Sequence, residues 1–278
     1  MTTMPPIVTA EEMADYPDAV LADVRSYLDG RSGHAAYESG HLPGAIFVDL
    51  DRDLSTHSLP ATEGRHPLPN PDAFAAAMGA LGIGDDSTVI AYDDTGGMTA
   101  GRLVVMLRML GREAALLDGG LQDWRGELME GPGTARELLD FTPTSWPADR
   151  LADADQTAAL AASDAAVVLD ARANERFTGA VTQIDPRPGH IPGAASAPWS
   201  AVVDPSTHRF CDPIVLRDHF RALGVGEAES VVAYCGSGVS ACMNLLALER
   251  AGLPDARLYV ASFSGWSADP EHEVATGP

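Results

Sequence analysis

The sequence predicts an α/β protein made of two tandem copies of one domain, each a small parallel sheet with helices on both faces. Two observations carry this. Short apolar runs bounded by turn residues alternate along the chain with stretches of helical periodicity, the pattern of buried parallel strands joined by crossover helices. Four segments also recur in the same order. Ala19–Arg25 (AVLADVR) matches Ala166–Arg172 (AVVLDAR), and Gly40–Ala45 (GHLPGA) matches Gly189–Ala194 (GHIPGA). Leu81–Asp93 (LGIGDDSTVIAYD) matches Leu223–Cys235 (LGVGEAESVVAYC), and Trp124 after LLDGGLQD matches Trp266 after LYVASFSG. The first two pairs are offset by 147 and 149 residues and the last two by 142, which fits a duplication and not a solenoid.

Taken in order, Val20–Leu21 and Val89–Tyr92 read as buried strands of the first copy, Val167–Leu169 and Val231–Tyr234 as those of the second. Pro71–Leu81 places Phe74, Ala77, Met78 and Leu81 at helical spacing. Leu103–Leu110 and Met243–Ala251 read as helices stopped by Gly111 and Gly252. Gly131–Pro147 has a GPG and further prolines without periodicity, and reads as an interdomain linker. The expected division is residues 1–130, a linker at 131–150, and residues 151–278.

The 278 residues include 40 acidic and 18 basic side chains, for a net charge of −22, and every basic residue is arginine. Without lysine there is no Schiff-base lysine, lysine general base or P-loop. The acidity argues against nucleic acid and anionic membrane surfaces as partners. No apolar run approaches the ~18 residues of a membrane span, and Met1–Ala10 does not read as a signal peptide. Three cysteines, Cys211, Cys235 and Cys242, are too few for a disulfide framework and suggest a reducing cytoplasm. No paired Cys/His spacing supports a metal site. An anion site in such a chain must be a local array of arginines or backbone N–H groups. Residues 141–278, with 17 acids against 9 arginines, are the less acidic part.

Residues shared by both copies are expected to hold the fold, while residues present in one are free for chemistry. After its VVAY strand the second copy continues Cys235-Gly236-Ser237-Gly238-Val239-Ser240-Ala241-Cys242, whereas the first has Asp93 at the cysteine position. Cys235 would end a buried strand and precede a helix. Glycines there let successive N–H groups turn inward, and the helix N-terminus adds positive potential, so the loop would stabilise a thiolate. A thiol phosphatase needs arginine where this loop has Ala241, and a thioredoxin-like dithiol needs a C-x-x-C that is absent. Cys242 and Cys211 read as packing residues. Duplication gives His41 and His190 a turn-stabilising role, makes Arg172 structural through its counterpart Arg25, and makes Trp124 and Trp266 core anchors.

The repeated GHLPGA and GHIPGA segments, the DGG-x-x-x-W and SFSGW endings, and a cysteine loop in the second copy alone resemble the two-domain rhodaneses over nearly the whole chain. The resemblance implies tandem rhodanese-like domains with a catalytically silent first copy. CGSGVSA is similar to the loop of members that use 3-mercaptopyruvate. Thiosulfate-specific members place basic residues where this chain has Gly236 and Ser237. The implied activity moves sulfane sulfur from 3-mercaptopyruvate through a Cys235 persulfide to a thiol such as thioredoxin, or to cyanide, releasing pyruvate without cofactor or metal. A thiosulfate:cyanide sulfurtransferase and a non-catalytic sulfur-carrier module are the alternatives.

Residue by residue, the resemblance implies that N–H groups of Gly236, Gly238, Val239 and Ser240 hold the persulfide. Arg176 in ERFTG and Arg187 in DPRPG would bind the donor carboxylate, for which a guanidinium fork is suited. It further implies a Ser–His–Asp arrangement of Ser237, His66 and Asp51, with Asp49 and His57 as neighbouring candidates, to handle the donor thiol proton.

Overall fold

The computed structural model describes residues 4–133, 135–181 and 184–278. It divides into two compact units. The first comprises Met1–Thr56, Leu68–Pro147 and Pro205–Phe210, and the second His57–Pro67, Ala148–Asp204 and Cys211–Pro278. Each unit therefore takes up a short segment lying within the sequence range of the other copy.

The first unit contains β1 (Ile7–Val8), β2 (Val20–Asp23), α1 (Gly33–Ser39), β3 (Ile46–Phe47), α2 (Pro71–Ala80), β4 (Val89–Tyr92), α3 (Ala100–Met109), β5 (Ala114–Leu117) and α4 (Gly120–Asp123). Its sheet is five-stranded in the order β1-β5-β4-β2-β3, and every pairing is parallel. The second contains β6 (Leu151–Ala152), α5 (Ala154–Ala161), β7 (Ala166–Asp170), α6 (Asn174–Phe177), β8 (Ala195–Ser196), α7 (Pro213–Ala222), β9 (Ser230–Tyr234), α8 (Ala241–Arg250), β10 (Ala256–Tyr259) and α9 (Ser262–Ala268). Its order, β6-β10-β9-β7-β8, repeats the first and is again wholly parallel. Two tandem parallel sheets with helices give the expected fold class. No helix among the described residues is long and apolar enough to cross a membrane.

The central strands explain themselves. All four residues of β4 are buried, and so are the last four of β9, so both faces of the strand select apolar side chains and the sequence shows a continuous run. Helices α2 and α7 begin with the same device. Asn70 and Asp212 cap them by accepting N–H from Asp72 and Ile214, and Pro71 and Pro213 occupy the first turn. By contrast, the residues before α3 and α8, Thr99 and Ser240, make no side-chain capping bond, and the helices start directly from the loops after β4 and β9. Both are buried through most of their length (Ala100–Leu107 and Ala241–Leu248), which fixes those loops against the core.

The repeated histidine turns are structural in both copies. His41 Nδ1 lies 2.9 Å from Tyr37 O and His190 Nδ1 lies 2.8 Å from Phe177 O. Each ring stacks on the aromatic of the preceding helix. Residues 131–147 form no regular element among the described residues, but they are not a loose tether. Leu139 N–H donates to Gly79 O, Trp146 Nε1 donates to Pro69 O, and the Phe141 ring meets Phe74 edge-on. The segment is strapped to the first unit through α2.

Candidate active site

Strand β9 delivers Cys235 at its C-terminal end, where ligands of parallel sheets bind. The residue is 1% exposed. Two interactions fix its backbone: Phe263 N–H donates to Cys235 O, and Cys235 N–H donates to Ser262 Oγ at 3.1 Å. Ser262 Oγ in turn donates to Tyr259 O at 2.8 Å. Ser262 achieves this in a left-handed conformation, φ 53°, and the matching position of the first copy is Gly120 at φ 51°. The serine tolerates a backbone suited to glycine because its hydroxyl holds the cysteine's peptide.

From Cys235 the chain curls through Gly236–Ser240 into α8, with Gly238 at φ 74° making the turn. The backbone N–H groups of Ser237, Val239 and Ser240 donate to no acceptor among the described residues. The first copy shows what such a loop holds. Asp93 Oδ1 accepts N–H from Thr95 (2.8 Å) and Gly97 (2.7 Å), and Oδ2 accepts N–H from Thr99 (2.8 Å) and Ala100 (3.0 Å) together with the Thr99 hydroxyl. The duplicated loop is thus an anion cradle. In the first copy its own carboxylate fills it; in the second a cysteine stands at that position.

Arginines approach the loop from the second unit's own segments. A Cβ on Gly236 would lie 2.7 Å from Arg176 Nη2 and 2.7 Å from Arg65 Nη2. Arg176 comes from α6. Arg65 comes from the 57–67 segment, anchored by Arg65 N–H donating to Ser264 Oγ. Between them sits Asp185, 6% exposed at its side chain. It receives Arg176 Nη2 at 2.7 and 2.8 Å and Nε at 3.1 Å, Arg172 Nη1 at 3.2 Å and Arg65 Nη1 at 3.3 Å. Burial alone would raise the Asp185 carboxyl, but the Arg176 hydrogen bonds and the charges of Arg176, Arg172 and Arg65 outweigh it and hold it below the usual carboxylate range. Arg172 itself is buried, forks onto Asp170, donates to Gly189 O and lies 3.8 Å over the Phe263 ring. Its counterpart Arg25 pairs with Asp23 and donates to Gly40 O in the same way, so this arginine serves the fold in both copies.

The same 57–67 segment brings His66 to the loop, with Nδ1 2.8 Å from Ser237 Oγ. Asp51 belongs to the first unit, in the turn after β3, where its N–H donates to Asp49 Oδ1. Arg187 does not join the arginines at Gly236. Its Nε donates to Ser267 O, Nη1 to His272 O, and Nη2 to Asp269 O, with a longer contact to Trp266 O. It braces the C-terminal end of α9 and the chain beyond. Cys242, in the first turn of α8, directs its Sγ back to Gly238 O in the loop before the helix, at 3.5 Å. The sequence reading missed Arg65, Asp185 and Ser262. Arg65 could have been found as the neighbour of His66, and Asp185 as the acid standing in sequence between Arg176 and Arg187.

The Rhodanese-like domain family matches residues 8–127 and 153–269 of this chain. The chain belongs to the rhodanese family. Among rhodanese relatives, a probable 3-mercaptopyruvate sulfurtransferase of Pseudomonas aeruginosa is 41% identical, with 98% of each chain covered. A putative thiosulfate sulfurtransferase, SseB, of Mycobacterium tuberculosis is 38% identical over 98% of this chain and 97% of its own. Among solved rhodanese structures, the 3-mercaptopyruvate sulfurtransferase from Leishmania major superposes with a TM-score of 0.85 at 28% identity, covering 96% of this chain and 76% of that one. Both matched segments fall in the tandem parallel sheets described above.

Proposed function

We propose that the chain is a sulfurtransferase that takes sulfane sulfur from 3-mercaptopyruvate onto Cys235 and passes it to a thiol such as thioredoxin, or to cyanide. The observation that carries this reading is the pairing of a cysteine with an anion cradle whose twin, in the first copy, encloses a carboxylate. The Cys235 thiolate attacks the donor's sulfur, an S–S bond forms and the C–S bond breaks. Its electron pair stays on the carbon, which takes up the proton of the donor thiol and leaves as pyruvate. In the tautomer protonated at Nε2, His66 Nδ1 accepts from the Ser237 hydroxyl, and the pair relays that proton. The persulfide anion is then held by loop N–H groups including those of Gly236, Ser237, Gly238, Val239 and Ser240. Attack by the acceptor on the outer sulfur restores the thiolate.

Arg176 Nη1 and Arg65 Nη2 have no acceptor among the described residues and lie beside Gly236, which supports them as the donor-carboxylate contacts. Arg187 contributes by bracing α9. The first unit, with Asp93 in its cradle, is catalytically silent. The three free cysteines fit a reducing, cytoplasmic setting. One observation favours a second reading, thiosulfate as donor: the 38% identical relative carries that activity in its name. The decisive experiment compares kcat/KM for both donors and follows the protein mass after donor exposure. A gain of one sulfur atom that vanishes in Cys235→Ser is expected, with 3-mercaptopyruvate the better donor. An adduct that survives Cys235→Ser overturns the assignment of Cys235.

A further inference from the structure

We propose that Asp185 selects the sulfur donor by charge, setting the positive potential that faces the Cys235 loop so that it suits a monoanion and not a dianion. The inference rests on the donor-site reading above. The group beside Gly236 contains three guanidiniums, those of Arg65, Arg172 and Arg176, and two carboxylates, Asp170 and Asp185. Asp170 is spent on Arg172, to which it is forked in a buried pair present in both copies. Asp185 is different. It has contacts to all three arginines, and it takes the fork of Arg176, Nε and Nη2, leaving Nη1 toward the loop. An incoming carboxylate therefore meets single N–H edges of Arg176 and Arg65, not an open bidentate fork.

These five side chains sum to one positive charge with Asp185 ionised and two without it. 3-Mercaptopyruvate offers one carboxylate and a neutral thiol, and one net positive charge matches it. Thiosulfate carries two negative charges on a body with no apolar part, and half of that charge would be uncompensated in a largely buried site. Asp185 acts through the arginines and is a positioning residue. Its role extends a feature of the loop, where neutral Gly236 and Ser237 supply no charge of their own.

The test uses the full-length protein, with persulfide formation on Cys235 measured for thiosulfate and for 3-mercaptopyruvate. Asp185→Asn keeps the shape and removes the charge; Asp185→Glu keeps the charge. The ratio of kcat/KM for thiosulfate to that for 3-mercaptopyruvate should rise about tenfold or more in Asp185→Asn, the size of effect that one charge produces at a few ångströms in a protein interior. It should stay near the wild-type value in Asp185→Glu. A purely structural Asp185 would lower both donors together and leave the ratio unmoved, which overturns the proposal. If Asp185→Asn does not fold, the unaltered enzyme still decides the matter by competition. Pyruvate, a monoanion, should inhibit at lower concentration than oxalate, a dianion; the reverse order overturns the proposal. If wild-type protein forms no persulfide from either donor, or Arg176→Ala does not alter donor use, the donor-site reading itself fails and charge selection falls with it.

Discussion

Ser262 accepts the backbone N–H of Cys235 at 3.1 Å while holding φ 53°, where the first copy has Gly120 at φ 51°. A left-handed backbone costs a serine about 1–2 kcal/mol, whereas a buried N–H without its acceptor costs about 1–3 kcal/mol. The two nearly cancel, so Ser262→Gly should leave the urea midpoint almost unchanged. Turnover should fall, because the peptide that aims Cys235 loses its side-chain acceptor. Ser262→Ala gives up the acceptor and retains the strain, and should be less stable than Ser262→Gly. Equal activity in wild type and Ser262→Gly would remove Ser262 from the positioning of the cysteine.

Asp93 fills the first copy's cradle with four backbone N–H groups and a hydroxyl as donors. Asp93→Ala leaves these buried donors without an acceptor and should cost about 3 kcal/mol or more in denaturant unfolding. Asp93→Cys should be destabilised as well and should gain no sulfur from the donor, since none of the arginines described at Gly236 comes from the first unit. A second persulfide on Asp93→Cys, detected by mass, would count against the silence of that copy.

Gly236 has room for nothing beyond its hydrogen. The atoms that a methyl group would strike are the far ends of Arg176 and Arg65, at 2.7 Å each, and flexible ends can move aside. Gly236→Ala should therefore fold with a melting temperature near that of the wild type and lose about tenfold or more in kcat/KM, corresponding to one displaced charged contact of ~1.4 kcal/mol. A fall in melting temperature with donor use intact would instead make Gly236 a purely structural residue.

Ser237→Ala and His66→Asn should each reduce the rate of persulfide formation by roughly a hundredfold, the lower range for a positioned proton relay. Because the two act as one 2.8 Å pair, the double variant should be scarcely worse than either single one. Multiplicative losses in single-turnover measurements would show that they act separately.

Arg187 resembles a donor-binding arginine in sequence, yet its guanidinium is committed to the carbonyls of Ser267, Asp269 and His272. Arg187→Met keeps the apolar stem and removes these bonds. Stability should drop by about 2 kcal/mol, with donor KM changed by less than about twofold. A large rise in KM at unchanged stability would restore Arg187 to the donor site.

The fold was legible where the chain repeats itself and where burial is two-sided. Strands β4 and β9 show as VIAY and VVAY because all four side chains of each run are buried. Helices α2, α3 and α8 show through their spacing, although α3 and α8 begin two or three residues earlier than their periodicity, directly off the loops. Edge strands β1, β3, β6 and β8, two residues each, are too short for any period. At the candidate site, Cys235 stood out because duplication provides an internal control, the same loop with Asp93, whereas Ser237 and His66 came from the family resemblance. Arg65 and Asp185 were not, since they reach Gly236 through tertiary packing of irregular segments, and an ion pair leaves no periodic trace. Ser262 was hidden for a subtler reason. It stands where glycine belongs, and only the backbone angle reveals the substitution as a trade.

A gene that doubles ordinarily leaves a spare, and either half can later be discarded. Here that exit is closed. The stretch from His57 to Pro67 is encoded within the first half but folds with the second, and it carries both Arg65 and His66. Deleting the first half would take the Arg65 guanidinium and the His66 imidazole from beside the Cys235 loop. Part of the Cys235 loop's surroundings is written inside the first half of the sequence.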